Sequence, residues 1–200
     1  MINEYRPIEV NKRNGSETFH EKNQNFHFDV KSFWQWSYSD IISNATRGVL
    51  AEYLIAQAIG VADDGIREEW AAYDLETKSG IKIEVKSAAY IQSWQQKELS
   101  KISFIVKKTL SWNKFTNKQD GVPKRDADVY VFALLAHTEQ ETIDPLDISQ
   151  WEFYVLQTRI LDKRKRSQHS ITLPSLCKLT QAVEYSELLS AIEEAGTNNG

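Results

Sequence analysis

Two carboxylates and a lysine stand close together in one stretch of the sequence, at Asp74, Glu84 and Lys86. Carboxylates about 4 Å apart repel each other by roughly 1 to 4 kcal/mol, so such a cluster needs compensating positive charge. Oxygen ligands of this kind favour Mg²⁺ or Mn²⁺ over zinc. A lysine beside the ion can hold a water or hydroxide and stabilise charge on a phosphate. The combination is typical of metal-assisted phosphodiester hydrolysis.

The segment Trp70–Lys86 is predicted to be a β-hairpin that brings these side chains to one face. Thr77–Gly80 supplies the turn, in which the glycine can adopt a positive φ. Pairing that is symmetric about the turn places Asp74 opposite Glu84, whereas a slip by one residue would separate the two carboxylates. A slip by two residues would bring Glu76 into the place of Asp74.

A helix is predicted from Ser43 or Asn44 to about Ile59, and it carries Glu52 on an otherwise small or apolar face. Burying an unpaired charge costs several kcal/mol, so this carboxylate needs a partner. Two roles are open from the sequence. Glu52 either forms an ion pair, for example with Arg47, or joins the carboxylates of the hairpin, and the hairpin favours the second role.

The residues Asp74 and Glu84–Lys86, separated by nine residues and preceded by a helix with Glu52, resemble the PD-(D/E)XK nuclease superfamily. The resemblance covers about residues 43–135. It implies the restriction-endonuclease-like fold, an α/β fold with a mixed central β-sheet flanked by helices. It also implies a metal-dependent endonuclease that acts on nucleic acid, with DNA favoured over RNA. Enzymes of this type often form homodimers to cut both strands.

The resemblance also implies a role for each matched residue. The metal ligands would be Asp74, Glu84 and the backbone carbonyl of Val85, and many members add a helical glutamate, here Glu52. Lys86 would be the catalytic lysine, and the cofactor would be Mg²⁺ or Mn²⁺.

The sequence departs from the superfamily pattern at two places. Tyr73 stands where the motif name has proline, and no helix is evident after the predicted third strand, Lys101–Val106, because residues 107–127 have the composition of a loop. Some members carry a glutamine shortly after the lysine that positions the lysine or the water. Gln92 is the candidate here, and an ordinary polar loop residue is the alternative.

Further substrate contacts are predicted where bases and aromatics alternate in residues 107–127, since such a segment can follow a phosphate backbone. The candidates are Lys114, Lys124 and Arg125, although an ordinary solvated loop is the favoured interpretation. Ser87 either contacts a phosphate or extends its strand.

The N-terminal region, residues 1–42, is predicted to be a polar arm followed by an aromatic lead-in, Phe33–Tyr38. Packing of these aromatics against the core is favoured over a base-stacking platform. Residues 43–195 are predicted to form one nuclease-like α/β domain, and residues 196–200 a frayed tail.

The second half of the chain supplies the predicted centre of the sheet. The continuous apolar run Val129–Ala136 is typical of a strand buried on both faces. Another strand is predicted at Trp151–Leu156, a helix at Thr158–Lys163, and a last helix at about Ser186–Ala195.

The composition is that of an ordinary globular chain, with 41% hydrophobic and 26% charged residues and a net charge of −4. No global basic field marks a nucleic-acid partner. The single cysteine, Cys177, excludes an intramolecular disulfide and fits a reducing cytosol. Neither an apolar membrane span nor a signal-peptide core is evident, so a cytoplasmic location is expected.

Two other functions remain open from the sequence. The fold could serve as a catalytically silent nucleic-acid-binding module, or as a protein-interaction module. For the hairpin itself the alternative to a site is a solvated face on which Lys82 and Lys86 pair with Glu84, Asp74 and Glu76, as charges on exposed strands often do.

Overall fold

The computed structural model of the chain describes residues 5, 7–113, 116–119 and 121–197. The strands are β1 (Thr18–Glu21), β2 (Gln24–Asp29), β3 (Leu75–Glu76), β4 (Lys82–Ala89), β5 (Ser103–Ile105), β6 (Trp112–Asn113), β7 (Lys118–Gln119), β8 (Val129–Leu135), β9 (Trp151–Gln157), β10 (Ser170–Thr172) and β11 (Ala182–Val183). The helices are α1 (Val30–Tyr38), α2 (Asn44–Ala58), α3 (Thr158–Lys163), α4 (Leu173–Leu176) and α5 (Leu188–Thr197). Short 3₁₀ turns lie at Gln140–Thr142, Ile148–Gln150 and Tyr185–Glu187.

A mixed five-stranded sheet in the order β11-β9-β8-β4-β3 forms the centre of the molecule. Strands β4 and β8 are parallel, and the other neighbours are antiparallel. All seven residues of β8 are buried, because β8 lies between two long neighbours and is covered on both faces. The predicted central strand and the mixed sheet flanked by helices are therefore confirmed.

The two faces of the sheet have different covers. Helices α2 and α5 pack on one face, where Ile55, Ile83, Val131 and Ile192 belong to one apolar cluster. A ribbon of β5 and β10 covers the other face together with α3 and α4, and its cluster includes Phe104, Phe132, Ile171, Leu161 and Leu176. Because side chains alternate between the two faces along β8, this strand contributes residues to both clusters.

The connection from β4 to β8 differs from the expected order of elements. The residues of β5 fall within the predicted third strand, Lys101–Val106. However, β5 pairs with β10 in a separate two-stranded ribbon and not with the hairpin of β3 and β4. Among the described residues between β4 and β8 there is no helix, only β5 and the short β6–β7 hairpin. Parallel neighbours need a long crossover, and here loop and ribbon provide it.

The hairpin of β3 and β4 has the predicted register. Leu75 pairs with Ile83 and Glu76 with Lys82. In the same register Asp74, which directly precedes β3, lies opposite Glu84 of β4. The N–H of Gly80 donates to the carbonyl of Thr77 at 2.9 Å, and Gly80 has a φ of +91°, as its place in the turn requires. The expectation of a strand from residue 70 was wrong, because residues 69–73 form turns and bends.

The N-terminal region contains regular structure where an arm was predicted. Strands β1 and β2 form an antiparallel hairpin, and Asp29 and Ser32 form a capping box at the start of α1. No residue of α1 is buried. The predicted packing of the aromatic cluster against the core was therefore wrong, and Trp36 is 86% exposed.

The helices that flank the sheet begin and end close to the predicted residues. Helix α2 ends before Gly60, which has a φ of +70°, and α3 lies where it was predicted. Helix α5 continues through Gly196, which is buried and not frayed; residues 198–200 lie outside the described residues. No helix within the described ranges has the length and apolar character needed to cross a membrane.

Replacing each of two helical glycines by alanine is predicted to change the free energy of unfolding in opposite directions. A Cβ on Gly196 would lie 2.5 to 2.7 Å from side-chain carbons of Ile81, whereas a Cβ on Gly48 would meet nothing within 4 Å. We expect Gly196→Ala to destabilise the fold by about 1 to 3 kcal/mol through overpacking. Gly48→Ala is expected to stabilise it by up to about 1 kcal/mol, since alanine favours helix interiors. Urea unfolding measures both, and equal effects of the two substitutions would contradict the described packing of α5 on Ile81.

Candidate active site

The candidate site lies just before the start of β3, where one edge of β4 is left open. Strand β3 pairs only with Lys82 and Ile83, and from Glu84 onward no described strand covers this edge of β4. Ile83 and Val85 pack under α2 and α5, so Glu84 and Lys86 point to the opposite face. Both are half-buried.

Asp74 is held against the open edge by two hydrogen bonds. Its N–H donates to the carbonyl of Ile83 at 3.0 Å, and its Oδ2 accepts from the N–H of Val85 at 2.7 Å. The N–H and C=O of one strand residue point to the same neighbour. The carbonyl of Val85 therefore faces the same open edge as the Asp74 carboxylate.

Glu84 and Lys86 form an ion pair on the same strand face, with Nζ 2.5 Å from Oε1 of Glu84. Burial raises the pKa of Glu84, and the charge of Asp74 raises it further, while Lys86 opposes the shift. Lys86 therefore does not offset the combined effect of burial and of the neighbouring Asp74 charge on Glu84. A cation placed between Asp74 and Glu84 would favour the ionised form of both carboxylates.

Glu52 reaches the edge from α2 and is held by Arg67, which donates from Nε and Nη2 to its two carboxylate oxygens. Burial raises the pKa of Glu52 despite this partner, whereas the hydrogen bond to Glu52 raises the pKa of Arg67. Both pKa values are raised, but the dominant causes differ: burial dominates at Glu52, whose side chain is 13% exposed, and the hydrogen bond dominates at Arg67, whose side chain is 40% exposed. The suggested partner Arg47 was wrong.

The oxygen donors at the open edge form a small set that a metal ion could use. Within the described residues, no three acidic, histidine or cysteine side chains are spaced to hold one ion. Glu52 approaches from the sheet face that α2 covers, whereas Glu84 points to the opposite face of the sheet. Both carboxylate oxygens of Glu52 already accept hydrogen bonds from Arg67. Asp74, Glu84 and the carbonyl of Val85 remain, all hard oxygen donors. This smaller set fits Mg²⁺, which usually binds one or two carboxylates and keeps several waters.

Two clefts of opposite charge flank the open edge. The acidic cleft has a volume of about 410 Å³, and its charged lining residues are Glu52, Arg67, Glu68, Asp74 and Glu76. The cationic cleft has a volume of about 610 Å³, and its charged lining residues are Arg47, Glu84, Lys86, Lys101 and Lys107. The candidate site therefore joins a surface suited to cations with a surface suited to polyanions.

Two predicted substrate contacts line the cationic cleft. Ser87 accepts a hydrogen bond from Nε of Arg47 at 3.3 Å. Gln92 donates from Nε2 to the carbonyl of Ala89 and to Ser100, and its Oε1 is buried without a hydrogen-bond partner among the described atoms. Both residues lie near Lys86 in the fold, although neither touches it in a described hydrogen bond.

The predicted contacts from residues 107–127 have other surroundings. The Arg125 side chain is 1% exposed and donates to the carbonyl of Val106, to Asp162 and to Gln168, so it braces the fold and is not available to a substrate. Lys124 is half exposed and pairs with Asp126 at 3.0 Å. Lys114 lies outside the described residues.

Glu76, the predicted substitute for Asp74 if the hairpin slipped by two residues, has another partner. It accepts a hydrogen bond from the Tyr73 hydroxyl, and this bond raises the pKa of Tyr73 to about 12.

Sequence reasoning missed Arg67 and Lys101, it did not single out Lys107 within the segment 107–127, and it gave Arg47 the wrong role. For Arg47 a signal existed, because its spacing to Ala51 places it on the buried face of α2. Arg67 lies 15 positions from Glu52 in an irregular segment, where no periodicity marks it. Lys101 and Lys107 are ordinary charged residues in the sequence, and only the fold brings them to the cleft.

The class of protein follows from a comparison with protein families, which places the chain among endonucleases. The sequence matches the model of the family described as Bacteriophage T4 endonuclease IV over residues 1–174, most of the 200 residues. The chain belongs to that family and is a nuclease. The match includes the N-terminal hairpin, the candidate site and both clefts, whereas β11 and α5 lie beyond it. No individual curated protein matches the sequence.

The raised pKa of Glu84 predicts how stability depends on pH in the absence of divalent metal. The folded state holds this proton more tightly than the unfolded chain, so the stability that protonation contributes is lost as pH rises through the folded pKa. Glu84→Gln mimics the protonated form. We expect it to raise the melting temperature at neutral pH in EDTA, and the gain to vanish below the ordinary glutamate pKa of about 4.3.

Asp147→Asn is a control of opposite sign. Hydrogen bonds from Ser149 lower the pKa of Asp147, so this substitution is expected to lower the melting temperature at neutral pH. A melting temperature of Glu84→Gln that lies below that of the native chain at neutral pH would contradict the described environment of Glu84.

Proposed function

We propose that the chain is a divalent-metal-dependent endonuclease of the PD-(D/E)XK type that hydrolyses phosphodiester bonds in DNA. The observation that carries the proposal is the meeting of Asp74, Glu84 and Lys86 at one open strand edge beside the cationic cleft. The five-stranded mixed sheet with α2 on one face is compatible with the restriction-endonuclease-like fold that the resemblance implies.

Each residue has a proposed part in the reaction. Asp74, Glu84 and the carbonyl of Val85 would hold Mg²⁺ or Mn²⁺, which when bound would polarise the scissile phosphate and favour ionisation of a water. Lys86 would leave its ion pair with Glu84, orient the attacking water and stabilise the charge that develops on the phosphate. Glu52 would have to leave Arg67 to take part, so its proposed role is a second metal or the water shell.

The cationic cleft is the proposed path of the substrate. Arg47, Lys101 and Lys107 line it together with Lys86, which provides positive charge for a phosphate backbone although the whole chain has a net charge of −4. Membership of the Bacteriophage T4 endonuclease IV family supports DNA as the polymer that is cut. Homodimerisation and a cytoplasmic location stay predictions from the sequence.

The catalytic assignment is tested by cleavage of plasmid, single-stranded DNA and RNA with Mg²⁺, Mn²⁺ or EDTA. The native chain is expected to cut DNA only with metal. Lys86→Ala is expected to lower the rate by about 10²- to 10⁴-fold, the usual contribution of a residue that positions or transfers a proton. Circular dichroism and the melting temperature check that the variant is folded.

Lys101→Ala is the matched control, since it removes a lysine of the same cleft that has no proposed part in the chemistry. It is expected to weaken DNA binding and to leave the rate at saturating DNA unchanged. Native rates in Lys86→Ala would refute the assignment. DNA binding that needs no metal, without cleavage by the native chain, would identify a silent binding module.

Metal binding is tested separately from cleavage. Mg²⁺ at 100 times its dissociation constant would stabilise the folded chain by about 2.7 kcal/mol. We expect a rise in melting temperature with Mg²⁺ that is lost in Glu84→Gln and retained in Glu52→Gln, because Arg67 occupies Glu52. A rise that persists in Glu84→Gln and Asp74→Asn would show that the ion binds elsewhere.

A further inference from the structure

A buried arginine without an acidic partner lies in the cationic cleft beside Lys86. Arg47 is 2% exposed and donates to the carbonyl of Ile42 at 2.7 Å, to the hydroxyl of Ser87 at 3.3 Å and to the side-chain carbonyl of Asn44. All three acceptors are neutral. None of the ion pairs among the described residues includes Arg47.

The charge of Arg47 is therefore buried without compensation from the chain. Burial lowers the pKa of Arg47, and no carboxylate opposes that shift. Buried charges in proteins are normally paired or bound to a ligand. The other deeply buried arginine follows the rule, since the Arg125 side chain pairs with Asp162 at 2.6 Å.

The surroundings of Arg47 are suited to an anion. Ser87 and the exposed Asn44 line the cleft with Arg47, and their side chains accept hydrogen bonds from its guanidinium. Helix α2 begins at Asn44, and no described side chain caps its first turn. The amino end of a helix adds partial positive charge at such a place.

We propose that Arg47, Asn44 and Ser87 form a subsite for a phosphate of the DNA backbone next to the phosphate that is cut. The inference rests on the proposed function. Ser87 follows Lys86 in β4, and although the two side chains leave the strand on opposite faces, both line the cationic cleft. An anion at this subsite would therefore share the cleft with the one at the lysine. The amide of Asn44 and the hydroxyl of Ser87 would touch the phosphate, and the charge of Arg47 would attract it from behind.

A purely structural role for Arg47 makes different predictions. In that case its three hydrogen bonds would only fasten the start of α2 to β4 and to Ile42. A carboxylate introduced beside it would then weaken DNA binding only by general repulsion in the cleft, and the cleft would show no specific binding of inorganic phosphate. In the proposed subsite the same carboxylate would take the place of the phosphate charge, so that phosphate binding would be lost and DNA binding weakened.

Asn44→Asp is the substitution that separates the two roles. It supplies the missing acid to Arg47 without a large change in shape, and an acid at the amino end of a helix is favourable. We expect a melting temperature at or above that of the native chain. Binding of a short fluorescent DNA in EDTA is expected to weaken about tenfold, and the slope of log K against log salt to fall by about 0.7 to 0.9, the loss of one phosphate contact.

Gln181→Glu is the matched control, because it adds the same charge at an exposed position next to β11, at the opposite edge of the sheet from β3. It is expected to leave the DNA affinity and its salt dependence within twofold of native. Asn44→Ala removes the acceptor without adding charge and is expected to leave the salt slope closer to the native value than Asn44→Asp does.

Inorganic phosphate provides a second measurement, which begins with the native chain. Phosphate is expected to raise the melting temperature of the native chain and to compete with DNA, and Asn44→Asp is expected to lose the thermal shift. Native DNA affinity and salt slope in Asn44→Asp, or no effect of phosphate on the native chain, would overturn the subsite while cleavage by the native chain upholds the proposed function. A native chain that neither binds nor cuts DNA would refute the proposed function itself.

Discussion

The unpaired backbone of β4 beyond Ile83 is the constraint on which the candidate site depends. Backbone N–H groups inside a protein must be paired, and β3 begins only at Leu75, opposite Ile83, so it does not reach Val85. The carboxylate of Asp74 accepts this N–H at 2.7 Å. One hydrogen bond thus replaces a strand contact, brings a negative charge beside Glu84 and leaves the carbonyl of Val85 open. A longer β3 would satisfy the same backbone and close the site.

Segregation of charge on the two sides of this edge explains how an acidic chain can handle a polyanion. Most of the charged side chains that line the acidic cleft are carboxylates, whereas most of those that line the cationic cleft are lysine and arginine. The net charge of −4 hides this division. The ion pair of Glu84 and Lys86 lies in the cationic cleft, and Glu84 interacts electrostatically with Asp74, which lines the acidic cleft. Electrostatic potential in a cleft depends on its own lining more than on the total charge.

Local periodicity was sufficient to predict the hairpin register, the central strand β8 and the bounds of α2, because each of these depends on one continuous segment of the sequence. Periodicity tells which face a residue occupies but not which neighbour it meets. The partner of Glu52 therefore could not be predicted, since Arg67 comes from an irregular segment. The aromatic side chains of α1 were predicted to be buried because of their type, yet Trp36 is 86% exposed. Burial depends on a packing partner, which a sequence pattern does not supply.

Support for the hairpin turn comes from a helix that the family match does not include. The match ends at residue 174, and α5 begins after it, yet the hydroxyl of Ser79 in the turn donates to Glu193 of α5 at 2.7 Å. Gly196 lets the same helix approach Ile81 closely, because a Cβ there would lie 2.5 Å from it. Glu84 and Lys86 follow Ile81 on one continuous strand. Helix α5 therefore fixes the end of the hairpin from which the candidate site extends, through Ser79 and Ile81. The residues with a proposed part in the reaction are thus positioned by a helix that lies far from them in the sequence.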